Sequence, residues 1–340
     1  MEFVCKNCFS DREIKGFIIS LNKLNDCNCC GSKDVEVIAI EELLDFFKEL
    51  FENFKPVEEG LSLMSKIQGN WNLFSSLESA HKILNYTLNK CNSSLKSSED
   101  LVDFNDEIIE NTNHWHKLKE QLKWERRYLT NIDFLTQDLG WDGFFESKVL
   151  IAKEEIFYRA RLHQNANLIA FSKDEMLCPP KHISTAGRAN PLGIPYLYLS
   201  DNQETILYEI RASYLDEISL ASFKLKADLS NEIIISDFTD PPTLFHPNEV
   251  NKKIKATLLK QVISRDLSKP MRRYDSELDY IPTQFICEFI KVFTGVQGIK
   301  FRSSLHNVGN NLVIFNQDIM DCIDVKKVRV SKVVINSIAL

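Results

Sequence analysis

The stretch from Thr185 to Glu209, TAGRANPLGIPYLYLSDNQETILYE, constrains the fold of this chain more than any other. Gly187, Pro191, Gly193 and Pro195 punctuate its first half too densely for a helix or a strand. Tyr196 to Leu199 then reads as a short strand carrying two tyrosines. Glu204, Ile206, Leu207 and Ile210 follow at helical spacing, in a helix that presents Glu209. A loop fixed by glycine and proline between two regular elements is a usual place to hold a ligand.

The chain has 340 residues, room for about two domains. Hydrophobic residues at 44% and charged residues at 26% are those of an ordinary globular protein. No apolar run reaches the roughly 18 residues of a membrane helix. The polar, cysteine-rich start, MEFVCKNCFSDREIKG, lacks the basic-then-apolar layout of a secretory signal, so a cytoplasmic protein is expected, with no membrane partner. A net charge of -7 argues against binding along a nucleic-acid backbone, which needs a basic surface. It leaves room for an anionic small ligand, since a few arginines in one pocket reverse the sign locally.

Five of the nine cysteines lie in the first 30 residues, and Cys91, Cys178, Cys287 and Cys322 are scattered singly. Cys5-x2-Cys8 and Cys27-x2-Cys30-Gly are separated by eighteen residues, the pattern of a zinc ribbon. Four thiolates would close a tetrahedral structural zinc site with no open position for catalysis. Cys29 is an extra thiol that competes with Cys27 for a place in the second pair. A segment of 35 residues has too little core to fold alone, and a metal would supply the missing stability.

Residues 40–54, IEELLDFFKELFENF, carry Leu43, Leu44, Phe47, Leu50, Phe51 and Phe54 at helical spacing, followed by a break at Pro56 and Gly60. A second helix is expected over Trp71 to Lys90, with Leu73, Phe74, Leu77, Ala80, Ile83 and Leu84 on its apolar face. Asn92 to Asp100 reads as a loop. A third helix is expected from about Asp103 to Tyr128, with Trp115, Leu118, Leu122 and Trp124. His114 and His116 on it have no arginine at the spacing of a HEPN-type ribonuclease site, and Arg126 and Arg127 have no histidine after them. From Lys148 the texture becomes β-rich. Strands are expected at Glu155–Arg161, Ile218–Leu225, Ile233–Asp237, Gly298–Ser304, Asn311–Phe315 and Lys326–Ile335. Helices are expected at Val250–Leu267, with Lys252, Lys253, Lys255 and Lys260 as a solvated face, and at Pro282–Phe293. The mixture is α+β. The expected domains are a zinc-ribbon-like segment 1–35, a helical domain 36–147, and a third domain 148–340.

No dinucleotide-binding G-x-G-x-x-G, phosphate-binding P-loop, H-E-x-x-H or G-x-S-x-G signature occurs. What remains is a set of polar residues: Arg159, Arg188, Tyr198, Glu209 and Ser303. At these residues the chain resembles the RES domain family, over about 150–335. The pieces are FYRAR with Arg159, GRANPLGIPYLYLS with Arg188 and Tyr198, ETILYE with Glu209, Tyr280-Ile-Pro-Thr-Gln284, and GIKFRSSLHNVGNNLVIF with Ser303. Two departures stand out: Ala189 occupies a position that is often aromatic in the family, and Ser-Thr-Ala-Gly replaces a double glycine. The N-terminal VCKNCFSDREIKGFI and later cysteines are similar to an extension on some longer RES proteins.

The resemblance implies an ADP-ribosyltransferase-like fold and an enzyme acting on NAD+ as substrate. That means a toxin cleaving the nicotinamide–ribose bond by hydrolysis or by phosphorolysis with inorganic phosphate, or a transferase modifying a protein. Such a toxin implies an antitoxin or immunity partner, or restraint by its own N-terminal part, which would serve as a regulatory or dimerisation module in a homo-oligomer. Outside catalysis, the chain reads as a nucleotide-sensing module without turnover or as a purely structural interaction protein. Given NAD+ as ligand, guanidinium forks suit its pyrophosphate, which assigns Arg159 and Arg188 to the phosphates or to an incoming phosphate ion. A carboxylate stabilises charge developing on the ribose, which assigns Glu209. Tyr198 would stack on nicotinamide, Ser303 would bond ribose or amide, and Asn311 and His306 would border the pocket. Tyr196, Arg161 and Ser304 are the register rivals of Tyr198, Arg159 and Ser303. Each residue also has a plain structural reading: Arg159 as a salt-bridged strand residue, Glu209 as an exposed helix residue, Tyr198 as a core aromatic, Ser303 as a loop cap.

Overall fold

The structure is a computed structural model that describes residues 2–145, 148–165, 169–270, 277–306 and 308–334. The boundary expected at 147 and the strand end expected at Ile335 lie outside the described residues. In chain order the strands are β1 (Phe3–Cys5), β2 (Leu24–Asn25), β3 (Val35–Ala39), β4 (Phe54–Ser62), β5 (Leu101–Phe104), β6 (Lys148–Leu150), β7 (Phe157–Leu162), β8 (Leu197–Ser200), β9 (Glu217–Leu225), β10 (Ile234–Asp237), β11 (Gly298–Arg302), β12 (Asn310–Ile314) and β13 (Met320–Arg329). The α-helices are α1 (Arg12–Ser20), α2 (Leu44–Phe51), α3 (Leu63–Trp71), α4 (Leu77–Lys90), α5 (Asp106–Trp124), α6 (Trp141–Phe144), α7 (Gln203–Glu209), α8 (Val250–Ser268) and α9 (Ile281–Thr294). The chain is α+β, as its patterning predicts. It divides into two compact units, Met1–Lys117 with Pro241–Leu259, and Leu118–Asp240 with Lys260–Leu340.

In the first unit, β1, β3 and β2 form a small antiparallel sheet and β4 pairs with β5. One core runs from Val4, Cys8 and Ile14 through Phe47, Leu50 and Phe74 to Leu244, Phe245 and Ile254. The cysteine segment and the helices after it therefore share one interior. Asp11 caps α1 through Oδ1, accepting from Glu13 N at 2.9 Å and Ile14 N at 3.2 Å. Its Oδ2 accepts from Leu244 N at 2.6 Å and Phe245 N at 3.3 Å. Glu49 does the same for the start of α8, accepting from Asn248 N and Val250 N at 2.8 and 2.7 Å.

Several expected boundaries are corrected here. The helix expected through Phe54 ends at Phe51, because Phe54 opens β4 opposite Phe104, the two rings 5.2 Å apart. The break at Pro56 and Gly60 is an irregularity inside that strand. The helix expected over Trp71–Lys90 is two helices. Asn72, at φ 48° in the left-handed region, ends α3, and Ser76 caps α4 by accepting from Ser79 N. Leu73 and Phe74 are buried between them, while Leu77 is exposed. The third helix starts later, at Asp106, behind strand β5, and Trp124 is exposed. The lysines of α8 are not one solvated face. Lys252 is exposed, Lys255 pairs with Glu107, and Lys260 donates to Asp237 O and lies 5.5 Å from the Phe238 ring centre. The last strand begins at Met320 and ends at Arg329, because β13 follows β9 over nearly its whole length.

The second unit is built on an eight-stranded mixed sheet in the order β13-β9-β7-β8-β12-β11-β10-β6. The β10–β11 pair is parallel and the others are antiparallel. Phe157, Leu197, Leu199, Phe223, Leu312 and Ile314 fill one core against the sheet, while Ala160, Ile206, Ile218 and Leu220 form a second cluster with α7. The ladder is thinnest between β7 and β8, where Tyr158↔Ser200 is the one registered pair. Arg159 follows immediately and pairs its backbone with Ala221 on the other side. Among the described residues no helix is long and apolar enough to cross a membrane.

Candidate active site

Glu209 is delivered by a short strand–helix unit. β8 ends at Ser200, and Asn202 caps α7 by accepting from Glu204 N at 2.8 Å and Thr205 N at 3.2 Å. Two turns later α7 ends at Glu209, and Arg211 takes a left-handed backbone, φ 53°, to turn the chain away. The Glu209 carboxylate is half-buried. Its Oε1 accepts from Ser303 Oγ at 2.6 Å and from Asn311 Nδ2 at 2.8 Å. Ser303 Oγ itself accepts from Leu305 N at 3.2 Å and His306 N at 3.1 Å, so its proton is left for Glu209. Ser303 is buried and bonded to Glu209, whereas its register rival Ser304 is exposed. Asn311 comes to the same carboxylate from β12, opposite Ser200 on β8.

The loop after Ser303 sits hard against α7. A side chain at Gly309 would place its Cβ 1.9 Å from Thr205 Oγ1. Thr205 Oγ1 in turn bonds His306 Nδ1 at 2.7 Å, and the His306 ring stacks on Tyr208 at 5.0 Å.

Arg188 is half-buried in the turn Gly187-Arg188-Ala189-Asn190. Its Nη1 donates to Leu267 O at 2.8 Å. Burial lowers its pKa from the ordinary guanidinium value, while Glu209, Tyr280 and Tyr198 lie close enough to favour its charge. Arg188 and Glu209 are therefore electrostatic neighbours.

Arg159 is also half-buried, and its Nη1 is buried with no hydrogen-bond partner. Burial lowers its pKa too, with Cys178 and Tyr198 favouring the charge and Arg161 opposing it. A guanidinium remains charged under these conditions. Arg161, its rival, is used otherwise: it donates to Glu175 O and its guanidinium lies 4.9 Å from the Phe171 ring centre.

Tyr198 lies near both arginines. Its hydroxyl donates to Asn190 Oδ1 at 2.8 Å and accepts from Ala189 N at 3.0 Å. Burial pushes that hydroxyl well above the usual tyrosine range, so it stays protonated. Both of these bonds brace the Arg188 turn. The same packing explains Gly187: a Cβ there would lie 2.6 Å from Asn190 Oδ1 and 2.7 Å from the Tyr198 hydroxyl. Tyr196 faces elsewhere, its ring 4.9 Å from Phe315 and under Lys291, with its hydroxyl pushed up to about 12 by burial.

The first unit holds the four expected thiols together. The sulfurs of Cys5, Cys8, Cys27 and Cys30 lie within 4.8 Å of one another. The Cys5–Cys8, Cys5–Cys30 and Cys8–Cys27 separations are 3.8, 3.5 and 3.6 Å. A tetrahedral ion with bonds of about 2.3 Å needs sulfurs about 3.8 Å apart, so the donor set fits. Gly31, at φ 77°, closes the second knuckle with Gly31 N donating to Cys27 O. Cys27 is in the quartet and Cys29 is not, although Cys29 also neighbours Cys8. As bare thiols the group is frustrated. Shared protons pull Cys27 down, chiefly through Cys5, while Cys27 pushes Cys5 up to about 12 and Cys8 higher still.

The RES domain family model matches residues 156–334, just over half of the chain, and the chain belongs to the RES domain family. The match covers Arg159, Arg188, Tyr198, Glu209, Ser303 and Asn311. Comparison with curated proteins gives no match. Among solved structures, a chain of the crystal structure of the M. tuberculosis MbcT-MbcA toxin-antitoxin complex is similar at 13% identity. Its TM-score is 0.31, with 56% of this chain and 92% of that chain covered.

Proposed function

We propose that this chain is a toxin-like enzyme that cleaves the nicotinamide–ribose bond of NAD+. The observation that carries the reading is the Glu209 carboxylate, held through one oxygen by Ser303 and Asn311, with the charged Arg188 as its neighbour. When the bond breaks, its electron pair leaves with nicotinamide and positive charge develops on the ribose. A carboxylate already fixed in place stabilises that charge without reorganising. The second Glu209 oxygen has no hydrogen bond among the described residues and is the atom assigned to the ribose. Arg188 and the unsatisfied Nη1 of Arg159 are assigned to the pyrophosphate, or to the phosphate ion in a phosphorolytic reaction. Water as acceptor gives ADP-ribose and a proton. Phosphate as acceptor gives an ADP-ribose phosphate ester. A partner antitoxin belongs to the same reading.

The test is incubation of purified protein with NAD+, with and without inorganic phosphate, following nicotinamide by chromatography. Release without phosphate means hydrolysis, and release that rises with phosphate means phosphorolysis. Label transfer from NAD+ to a protein would replace this reading with a transferase. Saturable binding with no release would overturn it in favour of a sensor. Glu209→Gln is expected to cut release by about a thousandfold with an unchanged melting temperature. Full activity in that variant would sink the mechanism.

For the first unit we propose that Cys5, Cys8, Cys27 and Cys30 hold a structural zinc ion as thiolates. The ion supplies the positive charge that lets four packed sulfurs deprotonate together, and it leaves no coordination position open for substrate.

A further inference from the structure

The turn that presents Arg188 is held from a helix almost a hundred residues further along the chain. Gln284, on the first turn of α9, donates from one amide nitrogen to two carbonyls, Gly187 O at 2.8 Å and Asn190 O at 3.1 Å. Those carbonyls flank Arg188 and Ala189, so one side chain ties both ends of the turn. Beside it, Thr283 Oγ1 donates to Arg188 O at 2.7 Å. Tyr198 holds the same turn through Ala189 N and the Asn190 side chain. Most of α9 is apolar, burying Ile286, Cys287, Phe289 and Ile290. Polar groups in such a helix are costly to bury unless bonded. Here the Gln284 amide is bonded twice, both times to the one turn that carries a site arginine.

We propose that Gln284 is a positioning residue for the dinucleotide, acting through Arg188. It fixes the backbone under Arg188, and the Leu267 carbonyl fixes one guanidinium nitrogen, before any ligand arrives. An arginine held at both ends loses less freedom when it grips a phosphate, so affinity rises without a new ligand contact. Glu209 is held by other residues, Ser303 and Asn311, so the chemical step does not depend on this brace. Loss of the brace should therefore raise KM and leave kcat nearly unchanged. The inference rests on the assignment of Arg188 to the phosphates.

Gln284→Glu keeps the shape and removes the donors. An ionised carboxylate cannot donate, and it repels the two carbonyls. ADP-ribose binding to the full chain is to be measured by calorimetry for the wild type, Gln284→Glu, Arg188→Ala and the double variant. Near neutral pH, Gln284→Glu should bind about tenfold more weakly, the scale of two lost hydrogen bonds. Affinity relative to wild type should recover as the pH falls toward about 5, where a half-buried glutamate facing two carbonyls regains a proton and becomes a donor again. In the Arg188→Ala background the substitution should change nothing.

Wild-type affinity in Gln284→Glu, with Arg188→Ala weakened, would overturn this inference and leave the proposed function standing. An equal loss in both backgrounds would mean that Gln284 acts on the fold at large, which also overturns it. Wild-type affinity in Arg188→Ala would instead remove the reading of the site on which the inference rests. If Gln284→Glu does not fold, Gln284→Met makes the same comparison without the added charge.

Discussion

Two buried charges, one in each unit, are handled in opposite ways. Asp11 is 3% exposed and accepts four backbone N–H bonds, two on each oxygen. Arg159 is half-buried, and one of its nitrogens faces the interior with no partner. A charge removed from water must be compensated by something. The chain itself compensates Asp11, which makes that residue a joint between segments. It leaves part of Arg159 uncompensated, which suits a residue waiting for an anion. The cysteine quartet belongs with Arg159 in this respect: its four sulfurs are gathered at the spacing a tetrahedral cation would use.

The comparison can be broken most severely at the cysteines. Cys8→Ser should abolish near-stoichiometric zinc and unfold the first unit, since a structural zinc site contributes on the order of 10 kcal/mol. Metal analysis with far-ultraviolet circular dichroism reads this out, and a zinc-free wild-type protein that is fully folded would refute the metal. The next largest effect is expected at Asp11. Asp11→Ala leaves four N–H groups unpaired and should cost about 3 kcal/mol or more in denaturant unfolding. NAD+ turnover by whatever protein stays folded should be unchanged. The smallest effect on stability, and the one of opposite sign, is expected at Arg159. Arg159→Met should weaken ADP-ribose binding by tenfold or more, and should stabilise the protein by about 1 kcal/mol because an unpaired buried donor is removed. A drop in melting temperature there would show that Arg159 is a structural residue after all.

The elements that carry the candidate residues were legible in the sequence, while the choice of those residues as a site came from the family resemblance. The strand before Asn202 and the two-turn helix after it announce themselves through alternation and helical spacing, and they carry Tyr198 and Glu209 to their places. The paired cysteine knuckles were legible for the same reason, spacing within a short loop. What was not legible depends on partners distant in sequence. Nothing local says that the Tyr198 hydroxyl will be spent on Asn190, or that Thr283 and Gln284 will hold the Arg188 turn. The hints available were two adjacent polar residues opening an apolar helix and their place in the Tyr280–Gln284 piece of the family resemblance. Phe54 misled for a related reason. It continues the three-and-four spacing of α2, yet its partner is Phe104, and that pairing makes the segment a strand.

The bond from Leu244 to Asp11 spans 233 positions of sequence, and it has a consequence for biosynthesis. Phe245 enters the same interior, its ring 5.4 Å from that of Phe17 and 5.0 Å from that of Phe46. A nascent chain emerging at about 5–20 residues per second must wait roughly 10 to 50 seconds between making Asp11 and making its last partners. Through that interval the early unit lacks a piece of its interior, so a ribosome that stalls before Pro241 releases a product with a hole where Phe245 belongs.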